Sequence, residues 1–107
     1  MRPAIRAICQ IVAEHYGWNS ADEILTRSRH KSVWEARSIA IWLSRRKYGL
    51  SYPELGREFR LDHTTCINSV QRVDKSGGLM RVTADELDGH LRSATVTYPA
   101  SDASSLN

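Results

Sequence analysis

Apolar positions in this chain recur every three or four residues rather than every second one. Ile5, Ile8, Val12 and Tyr16 form one series; side chains at that spacing share a helix face, which predicts a first helix over Pro3–Tyr16. Pro3 suits its first turn, where the missing N–H would have had no helical partner. Val33, Ala36, Ala40 and Leu43 line a third helix over Val33–Tyr48. Cys66, Ile67, Val70 and Val73 form the inner stripe of a fifth over His63–Val73, and Leu87 and Leu91 that of a sixth over Ala84–Ala94. Shorter segments, Ala21–Thr26 and Tyr52–Phe59, supply the second and fourth helices. No alternation of strand period has useful length. The expected fold is all-α, with about six helices.

Polar punctuation sharpens the boundaries. Four Ser/Thr-x-x-Glu patterns occur, at Ser20/Glu23, Ser32/Glu35, Ser51/Glu54 and Thr83/Glu86. Each can form a capping box, in which hydroxyl and carboxylate satisfy each other's backbone N–H. Asp62 is a further N-cap candidate. Gly17 and Gly49 mark helix ends, and Gly77-Gly78 marks a loop. The chain ends in a small, Ser-rich stretch from Pro99. A single domain over 1–95 followed by a disordered tail over 96–107 is expected.

Leu50–Val73 is the most informative stretch. It reads as two short helices joined by a tight turn at Arg60-Leu61, the pattern of a helix-turn-helix. In that motif the second helix presents its first residues to base edges in the major groove. Here these are Asp62, His63, Thr64 and Thr65. Asp can accept from the cytosine amine, and Thr can bond a base edge or pack its methyl on thymine. His63 can reach a base edge or a phosphate. The plainer alternative is that Asp62 merely caps the helix and its neighbours are exposed.

Charge adds a direction. The net charge is +3, but residues 27–60 carry a local balance of +6 between mildly acidic ends. Arg27, Arg29 and Lys31 fall in a loop, Arg37, Arg45, Arg46 and Lys47 on the third helix. A basic loop can enter a minor groove, and helical cations can hold phosphates. A solvated surface would look the same, and Arg46 and Lys47 also suit the dipole at a helix C-terminus.

Other function classes find no support in the residues. The 107-residue chain suits one domain. Its first apolar run, Ala4–Val12, is broken by Arg6 and Gln10 and too short for a bilayer, so no membrane is expected. Cys9 and Cys66 read as buried small hydrophobes. With them, His15, His30, His63 and His90 match no zinc spacing, so no metal site is expected. No nucleophile–base pair and no Gly-x-x-x-x-Gly-Lys-Ser/Thr phosphate loop occurs. The expectation is a protein without catalysis, cofactor or nucleotide, cytoplasmic, associated with the nucleoid, and by default a monomer.

Four pieces occur in order: Arg29-x-x-Ser32-Val33, Arg37-x-x-Ala40, Leu50-Ser51-x-Pro53-Glu54-Leu55-Gly56-x-x-Phe59, and Asp62-His63-Thr64-Thr65. Together they resemble the C-terminal DNA-binding domain of the bacterial replication initiator DnaA, over roughly Ile5–Leu91. The resemblance implies a six-helix, Trp repressor-like fold and binding of double-stranded DNA at DnaA-box-like sites, in replication initiation or transcription regulation. It places a minor-groove contact on Arg29, base contacts on Asp62, His63 and Thr64, and phosphate contacts on Arg37, Arg45, Pro53, Thr65 and Arg72. Tyr52 and Asn68 complete the expected DNA-facing set. The chain departs from the family at Leu61, where an arginine is usual, at Asn68, where a histidine is, and at Trp34, Trp42 and Tyr52. It resembles the DNA-reading part alone. A protein-interaction adaptor on the same fold, docking through Leu61, Trp42 and Tyr52, is the alternative.

Overall fold

The computed structural model describes residues 1–26, 30–76 and 78–97. Six helices, and no strand among the described residues, run in the order α1 (Pro3–His15), α2 (Asp22–Leu25), α3 (Lys31–Tyr48), α4 (Tyr52–Phe59), α5 (His63–Lys75) and α6 (Leu79–Thr97). Arg29, and residues 98–107 of the expected 96–107 tail, lie outside the described residues, while residues 96 and 97 belong to α6.

The long third helix is the axle of the fold. It contacts each of the other five helices, so its middle, from Ser38 to Ser44, cannot keep a polar face. Ala36, Ser38, Ile39, Ala40, Ile41, Trp42, Leu43 and Ser44 are all buried. A helix buried on every side needs its polar atoms satisfied, because an unpaired buried hydroxyl costs about 1–3 kcal/mol. Ser38 Oγ donates to the Trp34 carbonyl at 3.1 Å and Ser44 Oγ to that of Ala40 at 2.8 Å. Ile5, Ile8 and Val12 from α1 join this core with Leu55 and Phe59 from α4 and Val70 and Val73 from α5.

Local signals and tertiary packing disagree at several helix starts. Only Ser51/Glu54 is a capping box: Ser51 Oγ accepts from the Glu54 N–H at 3.2 Å and Glu54 Oε1 from the Ser51 N–H at 2.9 Å. Ser20 Oγ instead accepts from the Asp22 N–H in a local turn. Ser32 lies inside α3, which starts two residues before the predicted Val33 with His30 at the N-cap. Thr83 is buried within α6. That helix begins at Leu79 rather than Ala84, because Met80 packs on the core and Arg81 pairs with Asp74 and Asp85. In α5 the inward positions are Cys66, Ser69, Val70 and Val73, so Ile67, predicted inward, is only half-buried. The glycine stops hold: Gly17 and Gly49 have φ of 80° and 63°, a conformation glycine adopts without steric cost.

The α4–α5 turn is made by backbone. Arg60 takes φ 56°, and its N–H, like that of Leu61 at 2.9 Å, points to the Gly56 carbonyl. The chain then doubles back so tightly that a Cβ on Gly56 would stand 2.6 Å from the Leu61 carbonyl oxygen and 3.5 Å from the His63 nitrogen. Both are main-chain atoms and cannot swing aside. Gly56→Ala is therefore expected to lower unfolding stability by about 1–3 kcal/mol. Gly89, mid-α6 with nothing within 4 Å of a built Cβ, is the control. Gly89→Ala should raise stability by about 0.5–1 kcal/mol through helix propensity. Urea unfolding of both variants checks the pair; equal effects would refute the steric account.

Candidate nucleic-acid interface

The turn delivers α5 with its polar start outward. Asp62, His63, Thr64 and Thr65 are all exposed, while Cys66 immediately after them is sealed in the core. Asp62 Oδ1 accepts from the Thr64 N–H at 2.8 Å and lies 3.8 Å from His63 Nδ1. The His63 Nε2 edge thus faces away from that carboxylate. The bond from Thr64 N–H, with His63 nearby, holds the Asp62 carboxyl below its ordinary value. Asp62 is both the cap and a displayed acceptor, so capping the helix does not use up its carboxylate. Asn68, Gln71, Arg72 and Lys75 continue the exposed face along α5.

The cations divide into two kinds. Arg45 donates from Nη1 to the Leu50 carbonyl at 2.7 Å and stacks over Tyr52, its Cζ 4.1 Å from the ring centroid. Arg72 stacks on Trp34 at the same 4.1 Å. These contacts hold the side chains while leaving them partly or fully exposed. Pro53, also exposed, opens α4 beside Tyr52. Arg46, adjacent to Arg45, turns the other way, donating from Nε to the buried Asp88 at 3.0 Å. Arg37 also turns inward. Its Nε donates to the Ile24 carbonyl at 3.0 Å and its Nη2 to that of Thr26, fastening the end of α2 to α3.

Two residues offered as an apolar docking surface, Leu61 and Tyr52, are half-buried. The third, Trp42, is 3% exposed and its indole N–H donates to Asp74 at 2.8 Å. An adaptor surface built on it is overturned, because the ring is held between α3 and α5. Burial pushes the Cys9 thiol up to about 12 and raises that of Cys66; both stay protonated at neutral pH and act as core. Among the described residues no group of His, Cys, Asp and Glu is placed to hold a metal, and no helix is long and apolar enough to cross a membrane.

With this geometry in view, a sequence family described as the helix-turn-helix of bacterial DnaA protein matches residues 5–73. The chain belongs to that family. The DnaA C-terminal domain is a non-catalytic module that binds double-stranded DNA. Chromosomal replication initiator proteins DnaA are similar to the chain. That of Caulobacter vibrioides is 38% identical over 74 residues, covering 68% of the chain and 15% of the relative. That of Mesorhizobium japonicum is 35% identical over 88 residues, covering 81% and 18%. The chain therefore spans less than a fifth of these relatives' length. The matched region ends within α5, so α6 lies beyond it.

Trp34 is the residue of this surface that sequence reasoning missed. It was outside the expected DNA-facing set, because nothing in one-dimensional spacing reveals a partner on α5.

Three displayed carboxyls give a pH prediction. Asp62 is lowered by the Thr64 N–H, Glu54 by the Ser51 N–H and Asp22 by the Arg6 guanidinium. Carboxyls lowered on folding stabilise above their unfolded values and lose that contribution as pH falls through the folded ones. Melting temperature should hold from neutrality to about pH 4 and then drop. Asp62→Asn, which keeps an acceptor for Thr64, should make the drop shallower; an unchanged acid limb would show that Asp62 contributes nothing to it.

Proposed function

We propose that the chain reads duplex DNA at DnaA-box-like sites, inserting the start of α5 into the major groove. The observation that carries this reading is the outward display of Asp62, His63, Thr64 and Thr65 on the second helix of a helix-turn-helix, beside arginines held by aromatic rings. Asp62, His63 and Thr64 face base edges, and Asn68 extends that face. Arg45, Arg72, Thr65, Pro53 and Tyr52 meet the backbone, and Arg29 enters the adjacent minor groove. Arg37 steadies the approach by holding Ile24 and Thr26. The similar proteins are named chromosomal replication initiators, so occupancy of such sites would act on replication initiation, or on transcription where a box overlaps a promoter. The chain would do so as a monomer in the cytoplasm, at the nucleoid.

Selection from a random duplex pool, followed by titration over a salt series, tests this. One short asymmetric site should be enriched. Arg45→Ala should weaken binding to all sequences and flatten the slope of log K against log salt by about one. Thr64→Ala should leave the slope alone and relax preference at one base pair by about 1–3 kcal/mol. Equal loss on selected and random duplex for Thr64→Ala would remove the base-reading role, and a pool without enrichment would remove the function.

A further inference from the structure

The arginines of this surface differ in what their partners consume. Arg46 gives its Nε–H to Asp88, and Arg81 contacts Asp74 and Asp85; such edge-on pairs occupy the donors a phosphate would need. Arg72 is held differently. Its guanidinium lies over the Trp34 ring, 4.1 Å from the centroid. A guanidinium that meets a ring through its π-face keeps its N–H fork for other acceptors. Trp34 is half-buried on α3 and Arg72 exposed on α5, so the ring is partly withdrawn from solvent while the cation it carries faces it. Arg45 lies over Tyr52 in the same way, but one of its donors, Nη1, is taken by the Leu50 carbonyl at 2.7 Å.

We infer that Trp34 is a positioning residue for DNA binding: its indole holds the Arg72 guanidinium, donors outward, for a backbone phosphate. The paired Arg45–Tyr52 brace gives the device a second anchor. At 1.5 Å per residue, Trp34 and Arg45 stand about 16 Å apart along α3. The major groove is roughly 12 Å wide, so cations braced at these two points can address phosphates on opposite walls of the groove that receives α5. A flexible arginine must be ordered on binding; one already stacked loses less freedom. The role rests on the duplex-binding reading above.

A double-mutant cycle tests it. Trp34→Leu, Arg72→Ala, the double variant and Trp34→Phe are titrated with the selected duplex, and the Arg72 Nε–H resonance is recorded in the DNA-free wild type. Trp34→Leu should weaken binding about two- to fivefold, with base preference intact. Trp34→Phe should recover most of that loss, and Trp34→Leu should add nothing once Arg72 is alanine. The wild-type Arg72 resonance should carry a ring-current shift, which decides the matter if Trp34→Leu does not fold. Equal losses with and without Arg72, wild-type affinity in Trp34→Leu, or an unshifted Arg72 resonance would overturn the brace. Wild type that binds no duplex would overturn the reading of function together with the brace, whereas a binding wild type with an uncoupled cycle overturns the brace alone.

Discussion

The approach of Gly56 to the Leu61 carbonyl is the contact on which the interface depends. Two helices can cross this closely only where one of them lacks a side chain, and the crossing here is set by main-chain atoms. The Gly56 carbonyl collects the N–H groups of Arg60 and Leu61, so the turn is closed by the residue that permits it. Leu55 and Phe59, buried on either side of Gly56, press α4 onto the core. With α4 fixed and the turn fixed, the direction of α5 follows, and with it the display of Asp62 through Thr65.

Much of this was legible in the chain. The apolar series and the short segments between them marked six helices in the right order, and the turn at Arg60-Leu61 followed from the gap between two of them. What failed were cues of purely local origin. Ser32 and Thr83 carry the same pattern as Ser51, yet only Ser51 stands where a helix begins. At Thr83, neighbouring residues found partners that extended the helix past the cap: Met80 in the core and Arg81 between Asp74 and Asp85. The gain from burial and pairing exceeded that of a capping hydroxyl, which is about 1 kcal/mol.

The candidate site was legible as residue types but not as orientations. Arg45 and Arg46 are indistinguishable in the sequence, and one helical step of about 100° separates a side chain over Tyr52 from one paired with Asp88. Trp34 and Trp42 looked alike for the same reason. Trp42 is sealed with its N–H on Asp74, whereas Trp34 stays half-exposed beneath a cation. Family membership fixes the class of surface; only the packing of α3 against α5 and α6 decides which arginine belongs to it.

The internally paired arginines also shape how such a protein would search. Arg2, Arg6, Arg37, Arg46, Arg81 and Arg92 each have a partner within the molecule. Attraction to arbitrary DNA grows with the number of phosphates neutralised, and so does the time lost on each wrong stretch. A basic domain that turns several guanidinia toward its own carboxylates and carbonyls adheres less to random sequence. On the proposed reading, its residence on DNA would then depend more on whether the base edges match.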